Sequence, residues 1–199
     1  MTHNRLWGSI VYLVGPMDRA PDGGVQWRRE LTPFLEERGI VVCDPTNKPI
    51  GTGREDIEDR AFRQQLKDED RYDELAEKIH LLRIIDLGMV DRSSFIICNL
   101  DNDISTCGTY EEMFWANRLK NPVLIMSKQG KDVVPDWLFG VFPHQHIFGD
   151  WESLKEYVRH VDEDKDVYHY KRWMFFDYTR MMPKVPPRNK PNFKAWVTQ

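Results

Sequence analysis

The stretch Cys107-Gly-Thr-Tyr-Glu-Glu-Met-Phe-Trp-Ala116 holds the residues best suited to chemistry. It follows an apolar run and opens a helical one. Backbone N–H groups and the positive end of the helix dipole therefore face whatever lies beyond the preceding strand. On this reading Glu111 and Glu112 fall in the first helical turn. Consecutive helical residues point about 100° apart, so the two carboxylates need not do the same job. An acid so placed is a candidate for catalysis, set against its plainer role of stabilising the dipole by ~0.3–1 kcal/mol.

A second group lies near the N-terminus, in Tyr12-Leu-Val-Gly-Pro-Met-Asp18 followed by Asp22-Gly23-Gly24. It is either a glycine-bearing turn where a ligand can approach the backbone closely, or an ordinary tight turn. It has neither the GxGxxG nor the GxxxxGK[ST] spacing, so a dinucleotide fingerprint and a P-loop are both unsupported. Other candidates are weaker. His144 and His146 lack a nearby acidic partner and read as structural rather than metal-binding. Cys107 sits where a helix N-terminus could activate a thiol, but no histidine partner is evident. Trp27 has core spacing, while Arg28 is divided between packing and ligand contact.

These residues must be positioned by regular elements. Ser9-Ile-Val-Tyr-Leu-Val14 reads as a buried strand stopping at Gly15-Pro16, and Ile40-Val-Val-Cys43 as a second, closed by Asp44-Pro45. Between them, residues 25–38 carry Trp27, Leu31, Phe34 and Leu35 at helical spacing, with Gly39 as the stop. Residues 46–53 look like loop, and the charged stretch 54–80 suits one or two exposed helices. Ile79, Leu82, Ile85 and Met89 resume a helical period ahead of a third strand, 94–98. A helix over 109–119, a fourth strand over 122–126, a short helix within 135–142 and an edge strand over 146–148 follow. Asp150 is placed to N-cap a last helix ending near Val161.

Short apolar strands alternating with helices predict a doubly wound α/β fold, a five-stranded parallel sheet in the flavodoxin-like order 2-1-3-4-5. Ligands in such sheets sit beyond the carboxyl ends of the strands. That brings the loops after Gly15-Pro16, Asp44-Pro45 and Asn99 to one place. The alternation ends near residue 162, so a domain over 1–161 and an aromatic, proline-rich, basic extension over 162–199 are expected. From Lys171 onward seven Lys/Arg face one acid, Asp177, a net +6 within a chain of −4, so the remainder is −10. The extension is expected to pack on the domain or on a neighbouring subunit.

Tyr-x-x-Gly-Pro after the first strand, an Asp ahead of the third and Gly-Thr-x-x-Glu-x-x-x-Ala after it form an ordered set. Over residues 10–158 this set resembles the nucleoside 2-deoxyribosyltransferase family and its related deoxynucleoside 5′-monophosphate N-glycosidases. The resemblance implies an enzyme that cleaves an N-glycosidic bond, with Glu112 as nucleophile, since Gly108 and Ala116 flank it at the family's spacing. It implies Asp86 as the group that protonates or hydrogen-bonds the departing base, and Tyr12 as the residue that orients the nucleophile. Gly15, Pro16, Met17, Gly23, Gly24, Gly108 and Thr109 would bind the substrate, with Ser105 and Thr106 at its 5′ end.

Two departures from the pattern matter. Thr106 stands where the transferases carry an Asp for the sugar 5′-hydroxyl. A hydroxyl there favours a 5′-monophosphate, which a carboxylate would repel, although Asp103 is near enough to take that place in a shifted loop. Ser94 replaces an Asp often found before the third strand, which leaves Asp91 as an alternative to Asp86. The chemistry itself is coherent. A carboxylate stabilises or captures an oxocarbenium-like centre, a neutral acid assists the base, and neither metal nor organic cofactor is needed. Hydrolysis against transfer, base preference, and ribose against deoxyribose stay open. A NAD-type glycohydrolase and a non-catalytic nucleotide sensor are the alternatives.

Composition bounds the rest. Apolar residues at 41% and charged residues at 30% exclude wholesale disorder, and no apolar run nears the ~20 residues of a membrane span. The N-terminus lacks a signal-peptide pattern, and three scattered cysteines suit a reducing, cytoplasmic setting. The expected partners are a small-molecule nucleoside or nucleotide and further copies of the chain, as a homodimer or larger oligomer. Neither a membrane nor a nucleic acid is expected.

Overall fold

The structure, a computed structural model, describes residues 4–48, 57–163 and 172–173, with residues 57 and 58 described by backbone alone. Its strands are β1 (Ile10–Val14), β2 (Val41–Cys43), β3 (Phe95–Leu100), β4 (Val123–Ser127) and β5 (Ile147–Phe148). They form one parallel sheet in the order β2-β1-β3-β4-β5. The helices are α1 (Val25–Glu36), α2 (Ile57–Asp68), α3 (Tyr72–Arg92), α4 (Cys107–Arg118), α5 (Asp136–Val141) and α6 (Trp151–Asp162). The flavodoxin-like order expected from the alternation of short apolar strands and helices is the one observed. No helix among the described residues is long and apolar enough to cross a membrane.

Successive residues of a strand point to opposite faces, and here each face is covered by helices. Val11 and Leu13 join Leu31 and Leu35 of α1 and Leu154 and Val158 of α6 in one core. Tyr12 and Val14 join Val90 of α3, Met113 and Ala116 of α4 and Leu138 of α5 in the other. Tyr12 thus enters the layer shared by α3 and α4. Its register in β1, beside Cys43 and Ile96, fixes its height in the sheet.

Three expectations are corrected. The second strand is not buried: Val41 is 54% exposed, because β2 is the sheet's margin and pairs only with β1. The charged stretch gives α2 and α3, but α3 does not end at residue 80 and runs on through Met89 to Arg92. No proline interrupts that run, and a glycine, Gly88, is tolerated within it. Helix α4 begins at Cys107 rather than Thr109, with Thr106 at the N-cap position and the Tyr110 N–H reaching the Thr106 carbonyl. Glu111 and Glu112 therefore lie in the second turn, beyond the strongest influence of the dipole.

Other boundaries follow local physics. Gly39 closes α1 in a left-handed conformation, φ 69°, and Asp150 caps α6 by accepting the Ser153 N–H at 2.8 Å. Trp173 is wholly buried, its ring 5.2 Å from that of Phe95, and its Nε1 donates to the Tyr157 hydroxyl at 3.0 Å. Arg172 donates to Asn117 Oδ1 at 2.8 Å. The remaining rings of the extension (Tyr168, Tyr170, Phe175, Phe176, Tyr178, Phe193 and Trp196) and its proline-rich stretch lie outside the described residues.

Candidate active site

A cleft of about 330 Å³ opens beyond the carboxyl ends of β1, β2 and β3, at the small end of the range for small-molecule sites. The loop after β1 supplies Gly15, Pro16, Met17, Asp18 and Arg19, and the start of α4 supplies Ser105 through Thr109. Tyr12, Glu112 and Asp86 form the inner wall.

The Tyr12 hydroxyl donates to Glu112 Oε1 at 2.7 Å. This contact joins β1 to α4 across 100 residues of sequence. Glu112 is half-buried, whereas Tyr12 is 1% exposed. Burial pushes the Tyr12 hydroxyl well above its ordinary range, and the charges of Glu112 and Asp86 push it further. The hydroxyl therefore stays protonated and acts only as a donor toward Glu112. Glu111 points out of the cleft and pairs with Arg83 of α3, so the neighbouring acids are separated in role.

Asp86 reaches the cleft from α3, four residues after Leu82, which is buried. Its Oδ1 lies 2.7 Å from the ammonium of Lys48, a side chain 1% exposed. Burial pushes the Asp86 carboxyl up, Lys48 and Arg28 pull it down, and the net direction is upward. Asp91, the alternative, accepts from Trp115 Nε1 at 2.7 Å and does not line the cleft.

The loop after β1 is held from two sides. Arg28, fully buried, donates to the carbonyls of Leu13 at 3.1 Å, Gly24 at 2.7 Å and Gly15 at 3.2 Å, and lies 3.6 Å from Asp44. From α2, Arg60 donates to the Met17 carbonyl at 2.8 Å, and Arg63 pairs with Asp18. Gly24 has φ 76°, and a Cβ there would sit 2.2 Å from the Pro16 carbonyl oxygen, so a glycine is required. Gly23 and Gly24 do not line the cleft; they form the turn ahead of α1, with Gly24 backing the wall.

On the opposite wall, Asp101 is 4% exposed and accepts from Lys128 at 2.7 Å, Gln129 at 2.6 Å and the Asp103 N–H at 3.1 Å. This network anchors the loop that carries Ser105 and Thr106. Thr106 Oγ1 is buried and has no hydrogen-bond partner among the described residues. Asp103 is exposed, bonded to Gln129, and absent from the cleft wall.

The folding thus gathers Tyr12, Asp86, Glu112, Gly15, Pro16, Met17, Ser105, Thr106, Gly108 and Thr109 around one cleft. Sequence reasoning passed over Lys48. A lysine between Asn47 and Pro49 carries no periodicity that would mark it as buried. Arg28 lines the cleft while donating to the loop carbonyls, and Trp27 stacks on Trp151 at 5.5 Å. His146 meets the Tyr157 hydroxyl at 2.9 Å, away from the cleft. A larger groove of about 610 Å³ between α1 and β2 has an exposed Glu36 and an Asp44 already accepting from Thr46.

No protein-family model and no curated protein matches the chain. Among solved structures, the 2-deoxyribosyltransferase of Bacillus psychrosaccharolyticus is similar at 16% identity and a TM-score of 0.49, covering 74% of this chain and 90% of that one. A 2-desoxiribosyltransferase from Leishmania mexicana is 18% identical, with a TM-score of 0.47 over 76% of this chain and 98% of its own. The CMP N-glycosidase BcmB of Clostridium botulinum is 17% identical, with a TM-score of 0.41 over 77% and 97%. At these identities and scores the likeness is one of chain path, and the chemistry has to come from the side chains of this cleft.

Proposed function

We propose that the chain is an enzyme that cleaves the N-glycosidic bond of a deoxynucleoside or its 5′-monophosphate through Glu112. The observation that carries this reading is the 2.7 Å hydrogen bond from a buried, protonated Tyr12 to Glu112, in a cleft where Asp86 faces the same space. A carboxylate held by a phenol at the inner wall is suited to attack an anomeric carbon. A second carboxyl whose proton affinity is raised by burial is suited to assist a departing base.

In the step itself a Glu112 oxygen bonds to C1′ while the C1′–N bond breaks. The electron pair remains on the base nitrogen, which takes up a proton with Asp86 as its partner. Water, giving up a proton to the Asp86 carboxylate, or a second base then bonds to C1′ and displaces Glu112, which leaves as a carboxylate. The sequence of bond changes needs no metal or organic cofactor.

A 5′-monophosphate is favoured over a free nucleoside by Thr106, whose buried Oγ1 lacks a partner among the described residues. Ser105 and the N–H groups at the start of α4 share that wall, which suits a phosphate better than a carboxylate would. Purified protein incubated with each deoxynucleoside and each 5′-monophosphate, with and without adenine, tests both parts. Free base from monophosphates alone supports hydrolysis and the Thr106 reading. A new nucleoside formed only with adenine makes the enzyme a transferase, and silence across the panel, extended to NAD, overturns the glycosidase reading.

A further inference from the structure

Resting on that reading, we propose that Lys48 is a positioning residue for the reaction. Its buried ammonium, 2.7 Å from Asp86 Oδ1, holds the Asp86 carboxyl toward the base and sets the pH at which that carboxyl carries its proton.

A buried ammonium needs polar or charged groups around it, and Lys48, its side chain only 1% exposed, has the Asp86 carboxyl among them at 2.7 Å. Lys48 follows the short turn after β2, whereas Asp86 lies on α3, so the pair ties two separate walls of the cleft together. Among the described residues, the other ionisable groups around Asp86 are Tyr12 on β1, Arg28 on α1 and Cys43 on β2, with Glu112 of α4 lining the same cleft. Tyr12 is neutral. Arg28 is a cation, but its guanidinium is committed to the carbonyls of Leu13, Gly15 and Gly24. Lys48 is the cation in direct contact.

The chemical consequence follows from charge balance. When the base nitrogen takes the proton from Asp86, negative charge develops on the carboxylate just as the C1′–N bond breaks. The Lys48 ammonium is already aligned with that charge, so no reorganisation is needed at the moment of transfer. Lys48 makes Asp86 a stronger acid than its burial alone would allow. It touches the acid rather than the substrate.

The test compares wild type with Lys48→Gln, which keeps a hydrogen-bond donor and loses the charge, and Lys48→Arg, which keeps the charge. Lys48→Met serves as a second uncharged variant should Lys48→Gln fail to fold, as judged by circular dichroism. The kcat/KM of base release is followed against pH, and the limb that disappears in Asp86→Asn is the one assigned to Asp86. Without the ammonium, burial is opposed only by Arg28, so that limb moves to higher pH in the uncharged variants and stays in place in Lys48→Arg. Carboxyl carbon-13 titration, with the Asp86 resonance identified by its loss in Asp86→Asn, reads the same shift without substrate. An unmoved limb and an unmoved titration midpoint, in a wild type that does release base, overturn the Lys48 proposal and leave the glycosidase reading standing. A moved midpoint in a protein that releases no base from any substrate overturns the glycosidase reading, and Lys48's catalytic role with it, while the Lys48–Asp86 coupling stands.

Discussion

The Tyr12 hydroxyl donates to Glu112, and the proposed roles of both rest on that contact. Because the Tyr12 hydroxyl is held well above its ordinary range, it stays protonated toward Glu112, and on the proposed reading it aims the carboxylate. Glu112→Gln keeps an oxygen that can accept from Tyr12, so the fold should survive while base release is abolished; circular dichroism and chromatography of free bases read the two effects. Tyr12→Phe removes one donor to a charged acceptor, worth about 10–100-fold in kcat/KM, and should lower turnover without eliminating it. Turnover equal to wild type in Tyr12→Phe would show that the contact does not aim the nucleophile. At this level the family resemblance named Glu112, Asp86 and Tyr12, and the three line one cleft. The sequence was silent on Lys48, because the burial of a lone lysine depends on a carboxylate 38 positions away.

The elements place these residues, and their ends matter more than their middles. β1 stops where Arg28 of α1 collects the carbonyls of Leu13, Gly15 and Gly24, so one side chain both ends the strand and shapes the loop that lines the cleft. Arg28→Met would leave three buried carbonyls without their donor and Asp44 without its nearby cation. The expected cost is roughly 3–5 kcal/mol in denaturant unfolding, with a raised KM for whichever substrate the panel identifies. A loss below about 1 kcal/mol would mean that the carbonyls find other donors. The start of α4 was misread by two residues for a local reason: Cys107 and Gly108 are poor helix formers by propensity, yet Thr106 and Tyr110 close a turn around them. With that start, Glu112 lies in the second turn of the helix.

For the molecule as a whole, the parallel sheet puts the cleft and Trp173 at opposite ends. Trp173 packs against Phe95 at the start of β3, while the cleft lies beyond that strand's finish. Trp173→Ala should cost about 3–5 kcal/mol by denaturant unfolding and leave the activity of the folded fraction unaltered. A change in kcat in the folded protein would show that this end of the sheet is coupled to the cleft.

The order of the sheet and the meeting of the loops at the strands' carboxyl ends followed from the sequence alone, because alternating strands and helices admit few topologies and strand ends carry turn residues. The exposure of β2 was not legible, since an apolar run reads the same at a sheet's margin as at its centre. Nor was the Lys48–Asp86 pair or the Arg28 brace. Those depend on distances between segments far apart in the chain, and only close packing of the folded sheet and its helices determines them.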